Sequence, residues 1–232
     1  MTITPSANRG RLLLPILLSM TAGAVDIIGF IALGVFTAHI TGNLVILAAH
    51  YVTGRFSEIG PILSVPVFMF VLGVVTLTFV AKPTPIARRV LLVLQAFLLA
   101  AFLGFGVGFG PFPDTDSPIA VFVGMLGVAS MAIQNALVRL ALPGAPSTAV
   151  MTTNVTQFTV DFATLIRGRG QQTDLSQVRS RADVTLASVL GFVVGLVLGA
   201  ILEIHFELWS LIFPVILSAL SVPLAERWDV ME

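Results

Sequence analysis

Eight apolar runs separated by short polar breaks organise the chain, at approximately residues 12–34, 38–54, 61–81, 89–110, 118–140, 148–166, 184–203 and 208–225. A helix needs about 20 apolar residues to cross about 30 Å of hydrocarbon. Six runs meet that length or nearly so. Run 38–54 falls short, because about 17 residues at about 1.5 Å each span about 25 Å. Run 148–166 is long enough but badly matched to lipid: it holds Thr148, Thr152, Thr153, Thr156, Thr159 and Thr164, with Asn154, Gln157 and Asp161. The pattern predicts an all-α polytopic membrane protein with six transmembrane helices and two short re-entrant or broken segments.

The two poorly matched runs resemble each other. "AHITGNLVILAAH" (Ala38 to His50) and "AVMTTNVTQFTVD" (Ala149 to Asp161) both read Ala, then Thr three residues on, then Asn two further on, then an ionisable residue seven beyond. "GAVDIIGF" (Gly23 to Phe30) aligns with "MAIQNALV" (Met131 to Val138), which sets Asp26 opposite Gln134. "FVLGVV" (Phe70 to Val75) aligns with "FVVGLV" (Phe192 to Val197), and a three-residue insertion around "LPGAPS" absorbs the difference in spacing. The order is the same throughout. This predicts a first repeat at 1–110 and a second at 119–232, joined by an acidic linker at 111–118 within a single membrane domain.

Loop charges choose between topologies, since Lys and Arg gather on the cytoplasmic side of a membrane. If all eight runs cross with the N-terminus inside, the twelve basic residues divide eight to four, with Lys82, Arg88, Arg89 and Arg139 outside. If the two polar runs enter and leave on one side, only Arg55 is outside. The second arrangement is favoured, with both termini inside. Three spans per half is an odd number, so the second half is expected to be inverted relative to the first. Inverted repeats with discontinuous helices recur in transporters, with the site near the midplane.

Composition agrees with the periodicity. The chain is 56% hydrophobic and 10% charged, against about 25% charged for a soluble domain. A formal net charge of zero gives no reason to expect a nucleic-acid partner, and the absence of cysteine removes disulfides, thiolate metal sites and cysteine catalysis. Arg9 and Arg11 before "LLLPILLSM" and "TAGA" imitate a signal peptide. That reading is set aside because the apolar run continues beyond Asp26 to Gly34 and has a counterpart in the second half. The stretch Gly168 to Asp183 is expected to be the one long polar loop, its arginines anchoring the cytoplasmic face.

Asp26 lies near the middle of the first span, where an ionised carboxylate costs at least about 2.5 kcal/mol. It is a candidate proton, cation or polar-solute site, with a structural carboxylate as the alternative. Thr41, Gly42 and Asn43, and likewise Thr152, Thr153 and Asn154, suit the start of a half-helix. Thr and Asn cap orphan N–H groups there, and the exposed N–H groups attract anionic or strongly polar solutes. His50 and Asp161 fall two turns beyond the Asn residues, on the same faces. Gln134 and Asn135 are candidates for bonds across helices or to solute, whereas His39 and His205 are expected at the interface and Arg139 to snorkel. No enzyme motif or metal-ligand spacing is present, and no cofactor is expected.

At these motifs the chain resembles a known family. "GAVDIIGF", "FTAHITGN" and "QNAL" are similar to the motifs of the YoaK-like bacterial membrane proteins, a domain-of-unknown-function family. The resemblance runs from about Leu13 to Leu224. It is carried by Asp26, Thr41-Gly42-Asn43 and Gln134-Asn135, and "MTTN" is a looser match. It implies a six-span bacterial inner-membrane protein and supplies no substrate. The leading expectation is a small secondary transporter of a polar or anionic solute, with Asp26 or Asp161 coupling protons. The alternatives are a passive channel of the same layout and an intramembrane enzyme acting on a lipid or quinone. The expected partners are the lipid bilayer and a small polar solute, and the small size of the chain leaves a homodimer open.

Overall fold

The computed structural model of the chain describes residues 5–53, 59–79, 84–168 and 174–228. Among these residues there are eight α-helices and no strand: α1 (Pro5–Leu33), α2 (Ile40–Thr53), α3 (Ile59–Phe79), α4 (Pro85–Phe109), α5 (Pro118–Ala141), α6 (Met151–Arg167), α7 (Leu175–Phe206) and α8 (Ile212–Trp228). A 3-10 turn at Glu207–Leu211 joins α7 to α8. Each apolar run has become a helix, the one open-ended element whose backbone groups are satisfied within the segment when no water is at hand. Polar caps set two of the starts: Thr84 accepts the N–H of Ala87 and Ser117 that of Ala120, each ahead of a proline at the first helical positions.

The long polar loop expected from Gly168 to Asp183 is largely helix. α7 begins at Leu175, where the Asp174 side chain accepts the N–H of Ser176. The Ser176 hydroxyl and N–H hold the Asp174 carboxyl below its ordinary range. Gln177, Val178, Arg179, Arg181 and Ala182 then propagate the helix. Of the expected loop, residues 169–173 lie outside the described residues.

Among the described residues five stretches are long and apolar enough to cross a membrane: Leu12–Leu33, Ile59–Phe79, Pro85–Phe109, Pro118–Ala141 and Leu175–Leu224. The last is 50 residues long and contains both α7 and α8. α2 has 14 residues and α6 has 17, or about 21 and 25 Å of rise, both short of a bilayer. Large apolar side chains such as Phe70, Leu77, Phe97 and Ile204 point outward, as in a protein whose solvent is lipid.

Contacts between helix ends orient the bundle. A Cβ built on Gly60, near the start of α3, would lie 3.8 Å from the Cβ of Val35, just past the end of α1. The Ile59 N–H donates to Asp116 Oδ1 in the α4–α5 linker at 2.7 Å. The finish of α1, the start of α3 and the linker therefore share one end, called here the linker end. At the other end, Arg88 of α4 donates to the Ala141 carbonyl that closes α5, at 3.2 Å.

α1 and α7 pack almost backbone to backbone. Cβ atoms built on Gly191 and Gly195 would meet the Ile16 and Met20 carbonyl oxygens, and one on Gly199 would meet Ala24. The residue numbers rise together along this seam, so the two helices are parallel and α7 starts at the end opposite the linker. α2 thus leaves from and returns to the linker end, and α6 does the same at the opposite end. α1 also packs on α8, α5 on α3 and α4, α2 on α3, α6 on α7, and α4 on α8.

Candidate functional site

In the first half, Gly34 (φ 67°) ends α1 in the left-handed region that glycine tolerates. The loop 34–39 then runs back down beside α1 to Asp26, seven residues or about 10 Å before the helix end. Asp26 is 2% exposed. Its Oδ1 accepts the N–H groups of Ala38 (2.7 Å) and His39 (3.2 Å), and its Oδ2 lies 2.7 Å from His39 Nδ1. An internal carboxylate thus serves the positive start of α2. One turn into α2, buried Asn43 holds the same loop. Its Oδ1 accepts the Phe36 N–H at 2.9 Å, and its Nδ2 donates to the Phe36 carbonyl at 2.7 Å and to Ser64 Oγ at 2.8 Å. The Phe36 ring lies over Gly42, where a Cβ would come within 2.9 Å of it. The His39 ring stands edge-on to Phe36 and Phe192, and its side chain is 35% exposed.

The second half uses the same anchors with different chemistry. Gln134 also lies seven residues before the end of its helix, at Ala141. Its Nε2 donates to Thr148 Oγ1 and to the Leu18 carbonyl, both at 2.9 Å, and its Oε1 accepts from Gln95 Nε2 at 2.6 Å. Asn154 donates to the Ser147 carbonyl at 2.6 Å, seven residues back, as Asn43 does to Phe36. The Val150 N–H is met by Ser147 Oγ at 2.9 Å. Val150 stands where the first half has His39, and Gln134 where it has Asp26, so the titratable pair exists once. Ser147 stands where the first half has Phe36. Without that ring, Thr153 fits where the first half needs Gly42.

The family described as "Protein of unknown function (DUF1275)" matches residues 14–224, which include both anchored loops. The chain belongs to the DUF1275 family. It is 31% identical over 233 residues to the UPF0700 transmembrane protein YoaK of Bacillus subtilis (strain 168), covering 94% of this chain and 96% of that protein. No solved structure matches it. The resemblance carried by the sequence motifs is the family found, and this DUF1275 chain is a helical membrane protein of a family whose function is unknown.

Several expected site residues take other places in the DUF1275 fold. Asn43 and Asn154 are not helix caps. They sit inside the first turns and hold the preceding loops, because Asp26 and Ser147 already serve the leading N–H groups. Thr41, Thr152 and Thr153 are exposed. Asn135 donates to the Met131 carbonyl of its own helix at 2.8 Å. His50 is half-buried near the end of α2. Asp161 is buried and bound in two-pronged fashion by Arg181, Nε to Oδ2 at 2.8 Å and Nη2 to Oδ1 at 2.5 Å, with Gln157 Nε2 at 3.0 Å. It ties α6 to α7 and shares no partner with Asp26. α2 packs on α3 and α6 on α7, and the two short helices do not pack extensively on each other.

The sequence reading placed His39 at the interface and Arg181 among loop anchors, where the structure sets them against Asp26 and Asp161, and it passed over Ser64 and Gln95. Gln95 had a signal, as the lone polar side chain in "LLVLQAFLLA" (Leu91 to Ala100). Its Oε1 is buried without a hydrogen-bond partner among the described residues, as is Thr37 Oγ1. Among those residues no group of three or more His, Cys, Asp or Glu could hold a metal ion.

Proposed function

We propose that this protein is a small secondary transporter of a polar solute, built as two inverted halves with three spanning helices and one re-entrant helix each. Exchanging α1–α4 for α5–α8 leaves the major helix pairs unchanged: α1 on α7 becomes α5 on α3, α1 on α8 becomes α5 on α4, and α2 on α3 becomes α6 on α7. An odd number of crossings per half reverses the second half in the membrane. Both re-entrant helices then start about 10 Å below opposite faces, in the layout alternating access uses.

The observation that carries the reading is the Asp26–His39 pair. A carboxylate held at membrane depth against a partly exposed imidazole is the natural place to take up and release a proton. Asp161 is assigned a different part, as a tether to Arg181. The solute is neutral or cationic rather than anionic, because Asp26 already fills the start of α2 with negative charge. Gln95 Oε1 and Thr37 Oγ1 are buried acceptors without a hydrogen-bond partner among the described residues.

The test is proton movement in proteoliposomes with an internal pH dye, challenged with a panel of neutral and cationic polar solutes. At least one solute is expected to move protons in the native protein. Asp26→Asn should cut that signal about tenfold or more, as loss of a proton-transfer group does, while Asp161→Asn keeps it. Solute flux without proton movement would replace the transporter with a channel. Undiminished coupling in Asp26→Asn would remove the assigned proton site.

A further inference from the structure

A cavity of about 320 Å³ opens at the linker end, lined by residues that include Gly106, Phe112, Glu203, Glu207 and Trp209. Its volume falls within the roughly 300–1,000 Å³ of small-ligand sites. Glu203 closes the last turns of α7 and is 6% exposed. A buried carboxylate is normally matched by a cation or by several donors. Among the described residues, Glu203 has a single side-chain partner, the Ser210 hydroxyl, which donates to Oε2 at 2.5 Å. Its other oxygen has none. Glu207 brings a second carboxylate to the same wall, and among the described residues no Lys or Arg lines the cavity.

The rest of the lining decides which cation fits. Ca²⁺ takes six to eight oxygen ligands and Mg²⁺ a near-ideal octahedron. Here there are two carboxylates beside apolar and aromatic walls, and no metal-ligand cluster among the described residues. Indole is the best aromatic face for a cation, and aromatic walls are the recurring means of holding substituted ammonium groups. Trp209 and Phe112 are the aromatic residues of the lining.

We propose that this cavity binds an organic ammonium group, with Glu203 and Glu207 meeting its charge and Trp209 and Phe112 its carbon substituents. The ammonium belongs either to a free small cation or to the amine headgroup of a phospholipid, since the cavity lies where a bundle end meets its surroundings. The inference does not depend on the transport reading, because binding is measured at equilibrium without a sealed vesicle.

The chain has two tryptophans, so Trp228→Phe leaves Trp209 as the sole emitter. That protein, purified in detergent, is titrated with tetramethylammonium chloride and with ethanolammonium chloride against sodium chloride at matched ionic strength. A saturable change in Trp209 emission is expected with the ammonium salts and not with sodium. Glu203→Gln should weaken it about tenfold or more, the effect of removing one member of a buried charge pair, and Glu207→Gln should weaken it less. Glu207→Gln also keeps the test alive if Glu203→Gln fails to fold. No saturable change, a response unaltered in both variants, or equal displacement by magnesium chloride would overturn the proposal. Repeating the titration in nanodiscs separates the sources. If phosphatidylethanolamine bilayers abolish the response and phosphatidylglycerol bilayers leave it, the headgroup is the ligand. If both leave it, a free cation is.

Discussion

Two asparagines at matching positions do unequal work, and that inequality is measurable. Asn43 satisfies the Phe36 N–H and carbonyl and also meets Ser64, whereas Asn154 meets the Ser147 carbonyl and touches Met151 Sδ at 3.6 Å. A buried backbone group stranded by a lost partner costs about 1–3 kcal/mol. Asn43→Ala should therefore destabilise the protein by about 2–4 kcal/mol and Asn154→Ala by about 1 kcal/mol. Thermal unfolding in detergent would order them, and equal shifts would contradict the clasp.

The Asp161–Arg181 pair is lopsided in another way. Asp161's side chain is 1% exposed and Arg181's is 56%. Arg181→Ala strands a buried carboxylate, while Asp161→Asn releases a guanidinium that water reaches. Arg181→Ala should be the more damaging. Its cost should fall below the roughly 3–5 kcal/mol of a broken, fully buried pair, because solvent screens the exposed partner. The same unfolding assay decides this, and the reverse order would remove Asp161's role as a tether.

At the scale of elements, the α1–α7 seam is the tightest joint. A Cβ on Gly195 would meet the Met20 carbonyl oxygen, and one on Gly23 the Phe192 carbonyl oxygen. Small residues at this spacing let membrane helices approach closely. Gly195→Ala must push α1 and α7 apart, so a sharp loss of folded, monodisperse protein on size-exclusion chromatography is expected. Gly104→Ala is the control, since its Cβ would meet nothing within 4 Å. Similar behaviour of the two variants would mean that the seam is not close-packed. Element positions were legible because apolar run length reports helix length directly. The start of α7 was not, because the charges of "SQVRSRAD" read as loop while the cap at Asp174 begins a helix that takes them in.

The whole molecule was legible to a different degree. The likeness of the two Asn motifs could be read because Ala, Thr, Asn and an ionisable residue recur at the same spacing in 38–50 and 149–161. What the anchors do could not be read. Spacing does not reveal that Asp26 faces back onto Ala38 and His39, or that Gln95 crosses from α4 to Gln134. Those contacts come from the packing of separate helices. The exchange of Phe36 and Gly42 for Ser147 and Thr153 makes sense only once the ring is seen over the glycine.

The central claim is that α2 returns to the face it entered, so that two three-span halves oppose each other. Single-cysteine labelling tests it against no background, because the chain has no native cysteine. Ser6→Cys stands near the start of α1 and Thr53→Cys at the end of α2. Each is probed with an impermeant maleimide on intact cells and again after permeabilisation. The account predicts that the two positions label from opposite sides of the membrane. Labelling from the same side would mean that α2 crosses, which would make the halves parallel and remove the inverted architecture.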